Sequence, residues 1–103
     1  MWQYHDVRNV GQPELFADFL RRKVDPTGTT AKTSIAALVH LQARIGMAAA
    51  RRAVDGVRVS AETADRLAEW AMTVYGVEID RLALMRAPTL TEWRRKKAPA
   101  TKR

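Results

Sequence analysis

Four arginines, Arg44, Arg51, Arg52 and Arg58, fall within one stretch of fifteen residues against a single acid, Asp55. A guanidinium stays charged at any ordinary pH, so it serves poorly as a general acid or base. Its planar fork of donors suits phosphate oxygens, or the O6 and N7 of guanine, both held in a bidentate grip. The chemistry these residues offer is therefore binding to a polyanion. Nothing else in the chain competes with it. There is no cysteine, which excludes a disulfide framework, a thiolate nucleophile and a thiolate metal site. The two histidines, His5 and His40, lie far apart and form no ligand pair. No glycine-rich phosphate loop occurs. Glu62, Asp65 and Glu69 sit at helical spacing, as one solvated face or a surface for another protomer would. The expectation is a protein that is not an enzyme and takes no cofactor, metal or small-molecule substrate.

The distribution of charge sharpens this reading. The net charge is +7 over 103 residues. Residues 86–103 hold seven Lys/Arg and one acid, Glu92, whereas residues 1–85 hold eleven Lys/Arg and ten acids. Within that nearly neutral body, residues 59–85 carry two Arg against five acids. The positive charge is thus concentrated on the arginine stretch and the C-terminal tail. Such a footprint favours nucleic acid, because each neutralised phosphate releases counterions. No apolar run approaches the roughly 20 residues that span a bilayer, and residues 1–11 hold no continuous apolar core of a secretory leader. The expectation is no membrane partner, and the lack of cysteine fits the cytosol.

The elements that must hold the arginines are read from local signals. Residues 1–12 form an arm, residues 13–88 a helical DNA-binding domain, and residues 89–103 a basic helix and tail. Pro13 suits a first helical position, and Leu15, Phe16, Phe19, Leu20 and Val24 form a stripe, so helix one is predicted from Pro13 to Lys23. Asp25 to Thr30 reads as a loop. Thr33 or Ser34 can cap helix two, which carries Ile35, Leu38, Val39 and Gln42 on one face. Arg44-Ile45-Gly46 is a three-residue turn, and Met47 to Asp55 is helix three, stopped by Gly56. Ser60 caps helix four, with Ala64, Leu67, Ala68, Ala71, Val74 and Tyr75 on its stripe and Gly76 at its end. Asp80 caps a short helix from Arg81 to Arg86 that Pro88 closes. Thr89-x-x-Glu92 matches a capping box for a last helix, Leu90 to Lys97. The fold class is all-α, with five to six helices and a basic C-terminal tail.

A helix joined to a second by so tight a turn can lay the second in the DNA major groove. Val39 to Gly56, followed by Ser60-Ala61-Glu62-Thr63-Ala64-Asp65-Arg66-Leu67-Ala68, resembles the λ-repressor-like family of helix-turn-helix regulators. That family's common run is Val-Ala-x-x-hydrophobic-Gly-Val-Ser, a second helix ending in Gly, and then Ser-x-Glu-Thr-x-x-x-Leu-Ala. Three positions depart from it. His40 stands where a small residue is usual, Arg44 replaces the turn glycine, and Gly46 replaces the capping serine. The resemblance implies a λ-repressor-like helix-turn-helix bundle and a transcriptional repressor. Small size and an Ala- and Arg-rich composition suit an immunity repressor or Cro-type protein of a temperate actinobacterial phage.

The resemblance assigns roles to positions. Arg51 is the foremost base-contact candidate, with Ala48 beside it able to touch a thymine methyl. Ala49 shares that floor, or both alanines serve helix propensity. Met47 and Arg44 are further base-contact candidates: Met47 belongs to the core or reaches the groove, and Arg44 places a cation at the groove edge. Arg52, Lys32, Thr33, Ser34 and Arg58 are phosphate-contact candidates, with Thr33 and Ser34 also able to cap. Arg94, Arg95, Lys96 and Lys97, with Lys102 and Arg103 beyond them, suit sequence-independent phosphate contact. His40 reads as a satisfied, half-buried side chain and Trp70 as packing. Trp93 suits either docking or partner contact, and Trp2, Tyr4 and Arg8 suit packing or a minor-groove arm. The implied partner is double-stranded operator DNA, bound so as to block a phage lytic promoter. A homodimer through helices five and six would use Leu82, Leu84, Met85, Leu90 and Trp93, and monomeric binding to one asymmetric site stays open. Two other classes compete: a DNA-bending architectural or recombination accessory protein, and an antitoxin-like protein-binding module.

Overall fold

Glu14 does not begin a helix; it pairs like a strand residue. Its amide donates to the Glu78 carbonyl at 2.8 Å and its carbonyl accepts from the Asp80 amide at 2.7 Å, an isolated parallel bridge at Glu14 and Ile79. The computed structural model describes residues 12–97. Among them it is all-helical, with six helices and no strand beyond that bridge. α1 is Phe16–Phe19 and continues as a π-helical turn, Leu20–Val24. α2 is Lys32–Ala43, α3 is Met47–Asp55, and α4 is Ala61–Trp70 with its own π-helical turn, Ala71–Tyr75. α5 is Arg81–Arg86 and α6 is Leu90–Lys97. None of these helices is long and apolar enough to cross a membrane. The arm, residues 1–11, and the tail end, residues 98–103, lie outside the described residues, and with them Trp2, Tyr4, His5, Arg8, Lys102 and Arg103.

The predicted start of helix one at Pro13 is corrected to Phe16. The cause is tertiary: pairing both backbone groups of Glu14 outweighs extending the helix by one turn. Leu15, expected in the stripe, is half exposed as a result. Glu14 also departs from its expected place in the first turn of that helix. Its carboxylate is held in a fork by Arg22, with Nε at 2.9 Å and Nη2 at 2.6 Å.

The core gathers Phe16, Phe19, Leu20, Ile35, Val39, Ala50, Ala53, Leu67, Trp70 and Leu84. At its centre Phe19, Trp70 and Tyr75 meet edge to face, with centroids 5.2 to 5.6 Å apart. The π-helical turn of α4 makes this trio. In an α-helix the residue four beyond Trp70, Val74, would share its face. An i→i+5 turn carries the fifth residue onto that face instead. Tyr75 accordingly packs against the core while Val74 is 55% exposed, which corrects the predicted stripe.

Local signals decide the other helix ends. Gly56 and Gly76 take φ of 84° and 68°, the left-handed conformation that stops a helix cleanly. The Ser60 hydroxyl accepts from the Thr63 amide at 3.2 Å, and the Asp80 carboxylate accepts from the Ala83 amide at 3.1 Å. Thr89 and Glu92 close a reciprocal capping box, with bonds of 2.9 and 3.2 Å.

Candidate nucleic-acid interface

α2 and α3 are joined through Arg44, Ile45 and Gly46. Arg44 takes φ 61° and ψ 49°, so an arginine adopts the left-handed conformation that glycine or asparagine usually provides at a helix end. Two consecutive carbonyls of the turn are each held by a side chain. The Arg44 carbonyl accepts from Arg66 Nη1 of α4 at 3.1 Å. The Ile45 carbonyl accepts from His40 Nδ1 at 2.6 Å. A carbonyl only accepts, so His40 carries a proton on Nδ1. Gln42 Oε1 accepts from the indole N–H of the buried Trp70 at 3.0 Å, tying the last turn of α2 to α4.

Beyond the turn, α3 sinks Ala50 and Ala53 into the core and leaves Ala48, Arg51 and Arg52 exposed. Ala48 lies between the two arginines around the helix, Arg51 about 60° to one side and Arg52 about 40° to the other. Met47 is half-buried and packs against the core, as does Ala49. Ala49 therefore turns away from the outward face on which it was expected.

Both helix starts in this unit lack a side-chain cap. α3 begins after Gly46 and α2 after Ala31, neither of which offers a side-chain acceptor. Thr33 and Ser34, predicted as alternative caps of α2, lie inside its first turn. This is a correction with a local cause. The Thr30 amide bonds the buried Asp25 carboxylate at 3.3 Å, ending the loop early, and the Ser34 and Ile35 amides both turn back to the Ala31 carbonyl. The Lys32 and Thr33 amides thus lie at an uncapped helix start, where the dipole is positive.

The structure brings some of the predicted residues together. Lys32, Thr33, Ala36, Arg51, Val54 and Asp55 line one crevice of about 30 Å³. Arg51 of α3 thus adjoins the start of α2. Arg44 instead lines an open cleft of about 510 Å³ with Gln42, Arg66, Glu69 and Trp70, and shares no lining residue with the first crevice. Ser34 is exposed. Among the described residues the ion pairs are Arg21 with Asp18, Arg22 with Glu14, Arg66 with Glu62 and Arg81 with Asp65. Arg51 and Arg52 join none of them.

Arg58 links α3 to α6. Its backbone amide donates to the Pro88 carbonyl and its Nε to the Ala87 carbonyl, each at 2.8 Å. This anchors the start of α6 just past the C-terminal end of α3. Arg94, Arg95 and Lys96 are exposed along α6, and Lys97 ends it. The Thr89 backbone amide holds the Glu92 carboxyl below its ordinary range, opposed by partial desolvation and aided by the Thr89 hydroxyl, Arg58 and Arg95. Leu84 is buried in its own core, so it cannot serve a dimer surface; Leu82 is exposed, and Met85, Leu90 and Trp93 are half-buried.

Sequence reasoning missed Asp55 as a wall of the Arg51 crevice, and Arg66 as a partner of the turn. The i to i+4 spacing of Glu62 and Arg66 was visible, but the bond to Arg44 spans 22 residues and left no local trace. No protein-family profile, curated protein or solved structure matches this chain.

Proposed function

We propose that this chain is a sequence-specific repressor that binds double-stranded DNA through a λ-repressor-like helix-turn-helix formed by α2 and α3. The observation that carries the reading is the crevice where Arg51 of α3 meets Lys32 and Thr33 at the uncapped start of α2. One face then offers a fork for a base edge beside a cation and free amides for a phosphate. Arg51 reads guanine, Ala48 lets the helix approach and touches a thymine methyl, and Arg52 grips the backbone. Met47 supports α3 from the core side. Arg44 acts first as a turn residue and supplies a cation near the groove edge. Arg94, Arg95, Lys96 and Lys97 extend the phosphate contacts from the end of α3, where Arg58 anchors them. Bound protein would occlude a promoter, and the resemblance to phage immunity repressors makes a lytic promoter the favoured target. A dimer, where formed, would rest on Leu82, Met85, Leu90 and Trp93.

Arg51→Ala tests the reading. One bidentate guanine contact is worth about 1–3 kcal/mol, so affinity for the preferred site should drop roughly 5- to 150-fold. Affinity for random duplex should change far less, by about one phosphate interaction at most. Equal decreases on both DNAs would remove Arg51 from base reading. A stoichiometric protein partner, with no DNA bound, would favour the antitoxin-like class.

A further inference from the structure

The turn between α2 and α3 lacks a glycine at its left-handed position and a side-chain cap at the start of α3. Something else must fix the direction in which α3 leaves. Two consecutive turn carbonyls are gripped from outside: Arg44 by Arg66 of α4, at 3.1 Å, and Ile45 by His40 of α2, at 2.6 Å. Arg66 is itself steadied by Glu62, one helical turn earlier, at 3.2 Å. The Gln42–Trp70 bond locks the same end of α2 to α4.

We propose that Arg66, held by Glu62, is a positioning residue that sets the docking angle of α3 and thereby the sequence preference of Arg51, without touching DNA. This rests on the DNA-reading role proposed for α3. The lever is short but sufficient. Arg51 lies four residues past the first residue of α3, about 6 Å along the axis. A tilt of about 10° at the turn therefore moves its Cα by about 1 Å and its guanidinium further. A bidentate base contact requires donor–acceptor distances of about 2.7–3.2 Å and cannot absorb that shift. Phosphate contacts by long, flexible lysines and arginines can. Loosening the turn should cost site preference while sparing general affinity.

The test compares the full chain with Arg66→Gln and Glu62→Gln on the selected site and on random duplex, over a salt series. Arg66 has a half-exposed side chain, so both variants should fold. With Arg66→Gln, affinity for the selected site should fall about 5-fold, the scale of one hydrogen bond. Random-duplex affinity and its salt slope should stay as in the wild type. Glu62→Gln should lower the ratio of selected to random affinity in the same direction. A direct phosphate role for Arg66 gives a different pattern: Arg66→Gln weakens both DNAs and lowers the salt slope by about one unit, while Glu62→Gln strengthens both. That pattern, or an Arg66→Gln variant with unchanged preference, overturns the proposal. Amide hydrogen exchange separates this failure from failure of the DNA reading. Without any DNA, Arg66→Gln should speed exchange at Ala50 to Ala53, the first amides of α3 bonded within the helix, starting with Ala50 to the Gly46 carbonyl, and unchanged exchange there also overturns it.

Discussion

Replacing Arg44 with glycine should make the protein more stable and leave its sequence preference intact. Arg44 holds φ 61° and ψ 49° at the end of α2. That conformation costs a residue with a Cβ about 1–2 kcal/mol. Glycine adopts it freely but forfeits more backbone freedom on folding, about 0.5–1 kcal/mol. The difference leaves a gain of about 0.5–1 kcal/mol, which for a domain of this size raises the melting temperature by about 2–6 °C. The bond from Arg66 survives, because its acceptor is the backbone carbonyl of residue 44. Thermal unfolding followed by circular dichroism measures the shift directly. DNA binding gives the second arm. Arg44 lines the cleft toward α4 and not the crevice of Arg51, so the preferred site should be unchanged. Affinity for every duplex should fall by no more than one phosphate interaction is worth. A lower melting temperature would show that the Arg44 side chain contributes more in its cleft than the backbone strain costs. A changed preferred site would return Arg44 to base reading.

The ends of the fold offer two more tests. Truncation after Pro88 removes Arg94, Arg95, Lys96, Lys97, Lys102 and Arg103, and should weaken binding to all duplexes alike and lower the salt slope by up to about 5; unchanged random-duplex affinity would show that α6 is no phosphate clamp. The hydrogen-bonded Arg22 holds the Glu14 carboxyl below its ordinary range, against partial desolvation. A depressed carboxyl contributes stability above the unfolded value of about 4.3 and loses it as pH falls through the folded one. Melting temperatures of the wild type and Glu14→Gln should therefore differ near neutrality and converge below about pH 4; a constant gap across that range would contradict the ion pair's role.

Much of the fold was legible because helix ends are decided by a few neighbouring atoms. Gly56, Gly76, Ser60, Asp80 and the Thr89–Glu92 box each stop or start a helix where the chain suggested, since their partners lie within three or four residues. Trp70 and the half-buried, hydrogen-bonded His40 also match their expected places. What the sequence left hidden depends on contacts longer than one helical turn, most of them from distant chain. Pairing of Glu14 with residues 78–80 shortens α1, and Asp25 draws in Thr30, so that Thr33 and Ser34 miss their capping positions. The π-helical turn that exchanges Val74 for Tyr75 answers to Phe19, more than fifty residues away. For the interface, composition and turn length singled out the arginines. Only the packing of α3 across α2 joins Arg51 to Lys32 and Thr33 and sets Arg44 apart from them.

Sequence reading by α3 is tested most plainly by selecting bound sequences from random duplex DNA with the full chain, then footprinting the product at physiological salt. One enriched motif is expected, containing a guanine whose replacement removes the dependence on Arg51. The footprint should have a defined length, and its symmetry reports one copy or two. Tight, salt-sensitive binding to every duplex with no enriched motif would contradict specific readout and leave an architectural protein in place of a repressor.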